Sequence, residues 1–461
     1  MTTPSPAAPI RPKDRDTVLQ ALRAGVVPRA GLHLIQVGRA KEIQAIVGDL
    51  DRIADGGSAM RLTVGAYGSG KTFFLSLVRA IAHEKGLVTA HADLNPDRRL
   101  HGAQGQARSF YQELMRNLGT RTKPDAAMAS VVERFISTAL QEARQNGTAP
   151  ETVIHGRLQA LSELTNGYSF AEVIARYYAG HEQGNDQLKQ DAVRWLRGEF
   201  TTKTDARAAL GVRTIIEDED VYDQLKLFAR FTRLAGYKGL LVAGDELVNL
   251  LKIPHAGARN ANYEQLLRMI NDVLQGHADS LGLLFGGTPE AVMDPRRGLY
   301  SYAALESRLR ENAFAQARGI EDTTGPVIRL ASLTPEDLYV LLTKLRHVQA
   351  SGDPAKYLVP DEALHSFLAH CANVIGAAYF QTPRQSIRAF LDLLAVLEAS
   401  PGTAWTDLIA SLPVDTDAPP PLDDEADDAA SGSPAASSAS DAAVSAPGGA
   451  APDADLASFR L

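Results

Sequence analysis

Lys71 and Thr72 close an eight-residue run, Gly65-Ala66-Tyr67-Gly68-Ser69-Gly70-Lys71-Thr72, that matches the pattern G-x-x-x-x-G-K-[ST] in full. Each residue type has a physical task at that spacing. Gly65, Gly68 and Gly70 permit the backbone conformations that turn successive N–H groups, that of Ser69 among them, around a phosphate. The Lys71 ammonium can reach the β- and γ-phosphates of a nucleotide, and the Thr72 hydroxyl can ligate Mg²⁺. A second chemical signature stands far downstream. Asp245-Glu246 ends the apolar run Leu240-Leu241-Val242-Ala243-Gly244. An aspartate there can hold the metal shell, and the adjacent glutamate can orient and polarise an attacking water. Alone, the two acids would read as the polar cap of a strand. Behind a full phosphate loop, the nucleotide reading takes precedence.

The flanking elements fit this chemistry. Met60-Arg61-Leu62-Thr63-Val64 alternates as a short strand. Phe73, Phe74, Leu75, Leu77 and Val78 form the buried side of a helix whose N-terminus would face the phosphates. Ile43, Ile46, Val47 and Leu50 mark a helix ahead of that strand. Residues 87–93 read as a second strand, 281–288 as a strand ending at Thr288, and 327–330 as a fifth. The strand at 88–93, lying between the two motifs along the chain, suits the division of P-loop proteins that inserts an extra strand between them and uses a catalytic glutamate. Residues 104–233 are helical almost throughout, far more than one crossover requires. Thr334-Pro335-Glu336 is a helix start, with an N-cap, a proline at the first helical position and an acid in the first turn. Further helices fill 361–372 and 383–397.

Composition sets the outer limits. At 461 residues, 45% of them hydrophobic, the chain can hold two or three domains. Its single cysteine, Cys371, excludes an intrachain disulfide and argues against a cysteine-based zinc site. The first sixteen residues lack the apolar core of a signal peptide, and no apolar run has the length of a membrane span, so the expected compartment is the cytoplasm. The net charge of −8 is uneven. Residues 415–461 hold ten acids against one base, Arg460; the remainder carries 46 basic and 45 acidic residues. Charge as a whole therefore neither favours nor excludes a nucleic-acid partner. From about residue 413 the composition falls to Ala, Ser, Pro, Gly and Asp, too polar to fold, although the tip Leu456-Ala457-Ser458-Phe459-Arg460-Leu461 regains some hydrophobicity.

Val37-Gly38-Arg39 ahead of the loop, Asp245-Glu246, Thr288, Arg308 and Thr382-Pro383-Arg384 together resemble an AAA+ ATPase of the Orc/Cdc6-like branch. The resemblance implies an α/β fold: a P-loop AAA+ three-layer core with a parallel sheet, a large helical insertion and a C-terminal helical lid. It implies that Val37, Gly38 and Arg39 border the adenine pocket, that Thr288 is sensor 1 and that Arg384 is sensor 2. Arg308 would be an arginine finger acting on a neighbouring subunit of a homo-oligomer, with Arg310, Arg296 and Arg297 as rivals. The initiators' winged-helix domain has no room here, because only residues 398–412 separate the last lid helix from the tail.

Trp195-Leu196-Arg197-Gly198-Glu199, Ala235-Gly236-Tyr237-Lys238-Gly239, Phe285-Gly286-Gly287-Thr288-Pro289-Glu290 and Arg297-Gly298-Leu299-Tyr300-Ser301-Tyr302 resemble the bacterial P-loop family of BREX-system ATP-binding proteins BrxD, over roughly residues 30–398. This implies a role in anti-phage defence, with a helicase or other defence-system proteins alongside. With the phosphate loop and its expected ligands ATP and Mg²⁺, the leading reading is an ATP-hydrolysing AAA+ module that couples nucleotide state to assembly or remodelling on DNA, with no membrane partner expected. The expected division is a disordered 1–15, a core in two parts at 16–103 and 234–332, an insertion at 104–233, a lid at 333–412 and an acidic tail at 413–461. A STAND-like switch or nucleotide-gated scaffold with little hydrolysis, or a small-molecule kinase, remains open. Arg194, Trp195, Arg197, Lys203, Arg207 and Arg213 form either a basic patch with a stacking aromatic or a helix burying its tryptophan under solvated arginines. His365 and His370 read as structural, not metal-binding.

Overall fold

The computed structural model describes residues 9–319, 322–376 and 383–411. Five strands, β1 (Ala59–Val64), β2 (Val88–Asp93), β3 (Leu240–Asp245), β4 (Leu281–Gly287) and β5 (Val327–Arg329), form one parallel sheet in the order β2-β3-β4-β1-β5. The strand between β1 and β3 is thus β4. Residues 88–93, which lie between the two motifs along the chain, form the sheet's β2 edge instead. Chain order could not reveal this, since parallel neighbours need crossover connections. Because every strand runs the same way, all carboxyl ends meet at one edge, where Asp93 pairs in register with Asp245 and Val64 with Gly287.

β3 and β4 are buried along their whole length and carry near-continuous apolar runs, as strands covered on both faces must. Alternate residues serve opposite layers. Leu241, Leu284 and Ile328 pack against Ile46, Leu50 and Ile53 of the Ala40–Ala54 helix and Phe74, Leu75 and Val78 of the Lys71–Glu84 helix. Leu240, Val242, Leu283 and Phe285 share the opposite core with the Gln106–Arg116, Val221–Leu234 and Ala256–Gln275 helices.

Seven α-helices lie between β2 and β3 among the described residues. Phe135, Phe170, Phe228 and Phe231 interlock at ring separations of 5.1–6.5 Å and join this block to the sheet core. The helix Lys203–Leu210 within this block is short and capped by Thr202. Trp195 is 2% exposed and donates its indole N–H to the Thr214 carbonyl at 2.7 Å. It is therefore a core residue, and the stacking-patch reading fails. Lys203 pairs with Glu217 and Arg194 with Asp191.

The helices Pro335–Gln349, Asp361–Ile375, Pro383–Ala399 and Trp405–Ser411 surround a separate core built on Leu342, Leu345, Leu364, Phe367, Phe390 and Leu394. Thr334 caps the first of them in a reciprocal box with Asp337. The helix Pro12–Arg23 buries Val18 and Leu19 in this same core, and Arg15 and Arg23 donate to the carbonyls of Gln349 and Leu391. Residues 12–15 are therefore its first turn and not an unstructured end, with Pro12 at the first helical position where a missing N–H costs nothing. Residues 1–8, Thr382 and 413–461, with the tip at 456–461, lie outside the described residues. Among those described, no helix is long and apolar enough to cross a membrane.

Candidate nucleotide-binding site

β1 delivers the chain to Gly65, and the helix begins at Lys71, so the loop spans the edge where all strands end. Gly68 and Gly70 adopt φ of 79° and 81°, open to glycine at no steric cost. A Cβ on Gly65 would collide with Ser69 Oγ and stand 3.0 Å from the Leu330 carbonyl. Ser69 is 3% exposed, and its Oγ has no hydrogen-bond partner among the described residues. The first N–H groups of the Lys71–Glu84 helix have no intrahelical acceptors, which suits an anion. Lys71 Nζ donates to the Gly65 and Ala66 carbonyls at 2.9 and 3.0 Å. Desolvation lowers the Lys71 pKa, while Asp245, Glu246 and Glu290 pull it upward.

The two motifs meet directly, 173 residues apart in sequence: Thr72 Oγ1 donates to Asp245 Oδ2 at 2.8 Å. Asp245 is 6% exposed, and its Oδ1 accepts the Glu246 N–H at 2.8 Å. Gly286 on β4 makes room for this carboxylate, since a Cβ there would stand 2.5 Å from Asp245 Oδ1. Glu246 adopts φ 62°, in the left-handed region, and the following Leu247 N–H is held by the Gly286 carbonyl at 3.0 Å. Desolvation and then Asp245 raise the Glu246 pKa, with Lys71 opposing. Asp93, which sequence reasoning passed over, joins this cluster through its register with Asp245; burial and Asp245 raise its pKa. Its signal was available as the acid ending an apolar strand.

A cavity of about 340 Å³ opens beside the loop. Its polar end is lined by Gly68 to Thr72, Arg39, Glu246 and Arg384. Its apolar end is made by Leu22, Val26, Ile35, Val37, Leu341 and Ile387. Arg39, at φ 60°, donates to the carbonyls of Ser69, of Gly70 at 3.4 Å and of Ala331 at 3.5 Å, and desolvation lowers its pKa. Gly38 adopts φ 61° and turns toward Asp337, whose Oδ1 would stand 3.2 Å from a Cβ there. Arg384 donates to the Gly25 carbonyl. The wall at Leu22–Val27 went unseen in the sequence, because it belongs to the N-terminal segment and meets the C-terminal helices across more than 300 residues.

Thr288 follows β4 at the same edge and caps the Pro289–Met293 helix, accepting from the Ala291 N–H at 3.4 Å. Arg308 is not part of the cavity. It sits exposed on the Ala303–Leu309 helix and donates to Asn271 Oδ1 at 2.6 Å and the Ala304 carbonyl at 3.0 Å. Its rival Arg310 pairs with Glu306 at 2.7 Å and lines a second cavity of about 580 Å³ with Gly65, Ala66 and Arg329. His365 stacks on Tyr339 at 4.7 Å.

A parallel α/β sheet with a phosphate loop after β1 and an acid pair after β3 defines a nucleotide-binding protein. The family model described as BREX system ATP-binding protein BrxC/D matches residues 10–412, and the chain belongs to that family. Membership carries ATP binding and a role in a BREX defence system, with other defence proteins as partners; BrxC and BrxD are joined in this one family description. No curated protein matches the chain.

Proposed function

We propose that the protein is an AAA+-type ATPase of the Orc/Cdc6-like kind that couples its nucleotide state to assembly or remodelling on DNA. The observation that carries this reading is the 2.8 Å hydrogen bond from Thr72 to Asp245, with Glu246 next in the chain at the cavity wall. The sheet order supports it, because β4 intervenes between the loop strand and the acid strand. Residues 16–103 and 234–332 would form the core, 104–233 an insertion and 333–412 a lid completed by the Pro12–Arg23 helix.

In this reading Lys71 and the loop N–H groups hold the phosphates, and the apolar end of the cavity takes the adenine beside Val37. Thr72 and Asp245 would hold Mg²⁺. Among the described residues no three His, Cys, Asp or Glu side chains gather as a metal site. One hydroxyl and one carboxylate nevertheless suit an ion that keeps waters and takes its other oxygens from phosphate. The ion would neutralise charge on the transferring phosphoryl group. Glu246 orients the attacking water, its carboxyl held at the cavity wall beside Asp245. Arg384 reports nucleotide state from the lid, Thr288 contacts the γ-phosphate or the water, and Arg308 serves the site of a neighbouring copy.

A nucleotide-gated switch with little hydrolysis is the second reading. It draws on Thr288, whose hydroxyl is used as a helix cap, and on Arg308, which lies away from its own cavity. Phosphate release from ATP, measured with and without duplex DNA, separates the two. Steady turnover supports the ATPase; tight binding with turnover below one per hour supports the switch.

A further inference from the structure

The carboxyl edge of the sheet continues beyond Glu246 into a basic rim that the nucleotide site does not use. Three segments form it. The connection after β2 carries Arg98 and Arg99, the turn before the Ala256–Gln275 helix carries Lys252, the first turn of that helix carries Arg259, and the turn after Met293 carries Arg296 and Arg297. These segments are held together by specific contacts. Asn249 Nδ2 donates to the Leu94 carbonyl at 2.7 Å, and Leu94 N–H donates to the Asp245 carbonyl at 3.0 Å. Asn262 exchanges two hydrogen bonds with the backbone of His101, at 2.9 and 3.1 Å. Arg259, one turn before Asn262 on the same helix face, donates to the Ile253 carbonyl at 2.8 Å, and Arg297 donates to that same carbonyl at 3.4 Å.

The charge on the rim is largely uncompensated. Only Arg98 of the six has a carboxylate partner among the described residues, Glu113 at 3.1 Å. The acids carried by the rim segments are Asp97 and Asp294, and Asp294 Oδ1 is engaged by the backbone N–H groups of Arg296 and Arg297 at 2.6 and 3.1 Å. Residues 252–259 contain no acid at all. Five of the six cations are arginines, whose planar fork matches phosphate oxygens in pairs. They come from segments that follow three neighbouring strands, β2, β3 and β4, and such a row fits a line of phosphates better than a single anion. At the end nearest the loop, Lys252 caps the short Val248–Leu251 helix that begins two residues after Glu246.

We propose that this rim binds the phosphate backbone of a nucleic-acid duplex and sets it directly beside Glu246. The proposal rests on the DNA part of the function proposed above and locates it. It goes beyond that reading in assigning the contact to the strand-end loops and not to the helices at 104–233.

The test is fluorescence anisotropy of a labelled 30-bp DNA duplex with the full chain, without nucleotide, across a salt series. Arg99→Glu/Lys252→Glu/Arg296→Glu removes three cations whose side chains brace no other element. The expected result is at least tenfold weaker binding and a fall of about 2–3 in the slope of log K against log salt, since each phosphate contact contributes about 0.9. The melting midpoint and the affinity for a fluorescent ATP analogue should stay as in the parent. If the reversed charges impair folding, Arg99→Gln/Lys252→Gln/Arg296→Gln should give a smaller loss in the same direction. Unchanged affinity and slope in a folded variant overturn the proposal, as does a parent protein that does not bind duplex at 50 mM salt. Equal rim-dependent binding of poly-glutamate also overturns it, in favour of an acidic protein partner. Because no nucleotide is present, loss of ATP hydrolysis would break the function proposed above without affecting this result.

Discussion

The two ends of the nucleotide cavity are built in different ways. The phosphate end is fixed by strand termini and backbone. Thr72 meets Asp245, Gly286 and Gly65 leave space that no larger residue could, and Glu246 and Gly70 hold left-handed conformations. The apolar end is assembled from side chains of distant segments, Leu22 and Val26 from the N-terminal region and Leu341 and Ile387 from the helices Pro335–Gln349 and Pro383–Ala399, with Arg384 donating to the Gly25 carbonyl. Its Val26 is still 55% exposed. A wall gathered from segments so far apart in the chain is the part suited to shift. The phosphate end should therefore respond to substitution in an all-or-none manner, and the apolar end in graded steps.

The largest expected effect is at the phosphate end. Lys71→Ala should abolish measurable ATP binding, because the β- and γ-phosphate charges lose their cation. Retained affinity in an equilibrium titration would remove the phosphate-loop reading. Next comes Arg308→Ala, which belongs to neither end. It should bind ATP normally yet lose about 10³-fold in turnover if it acts on a neighbouring copy. Mixing it with Lys71→Ala protein should restore part of that activity. An inactive mixture that still co-assembles would contradict action in trans.

Arg39 lies where the two ends meet, bonding loop carbonyls to that of Ala331. Hydrogen bonds from a charged donor contribute about 1.5–3 kcal/mol each, so Arg39→Ala should weaken ATP by about tenfold or more. Little change in turnover at saturation would mark it as a positioning group, while an unaltered affinity would remove it from the site. The smallest effect lies outside both ends. Burial lowers the pKa of His83 and His91 from 6.5 to about 4. The unfolded chain then binds more protons than the folded one, so this contribution to stability is complete above pH 6.5 and is lost as pH falls toward 4. Replacing either histidine with glutamine should flatten the melting temperature over that window. An unchanged pH profile would show that neither imidazole is held neutral.

How much of this was legible in sequence follows the same division. The loop, Asp245-Glu246 and all five strands could be read, because local spacing and apolar runs encode them. Their spatial order could not, since β4 enters between β1 and β3 only through tertiary pairing. The apolar wall escaped because the N-terminal helix, itself legible at 17–24 from its amphipathic pattern, packs against partners more than 300 residues away, among the helices at 335–399. The position of Arg308 on a helix was apparent, but not its engagement with Asn271. Trp195 gave the same signal as an exposed stacking ring until its neighbours were known.

The most direct test of the central claim, that Thr72, Asp245 and Glu246 form one hydrolytic centre, is a paired measurement on Glu246→Gln. ATP affinity by calorimetry and phosphate release at saturating ATP should be taken on the same protein. The amide keeps the shape and loses the charge that polarises water, so affinity should stay within about threefold while release falls about 10²–10⁴-fold. Release at the parent rate would place the base elsewhere and contradict the account.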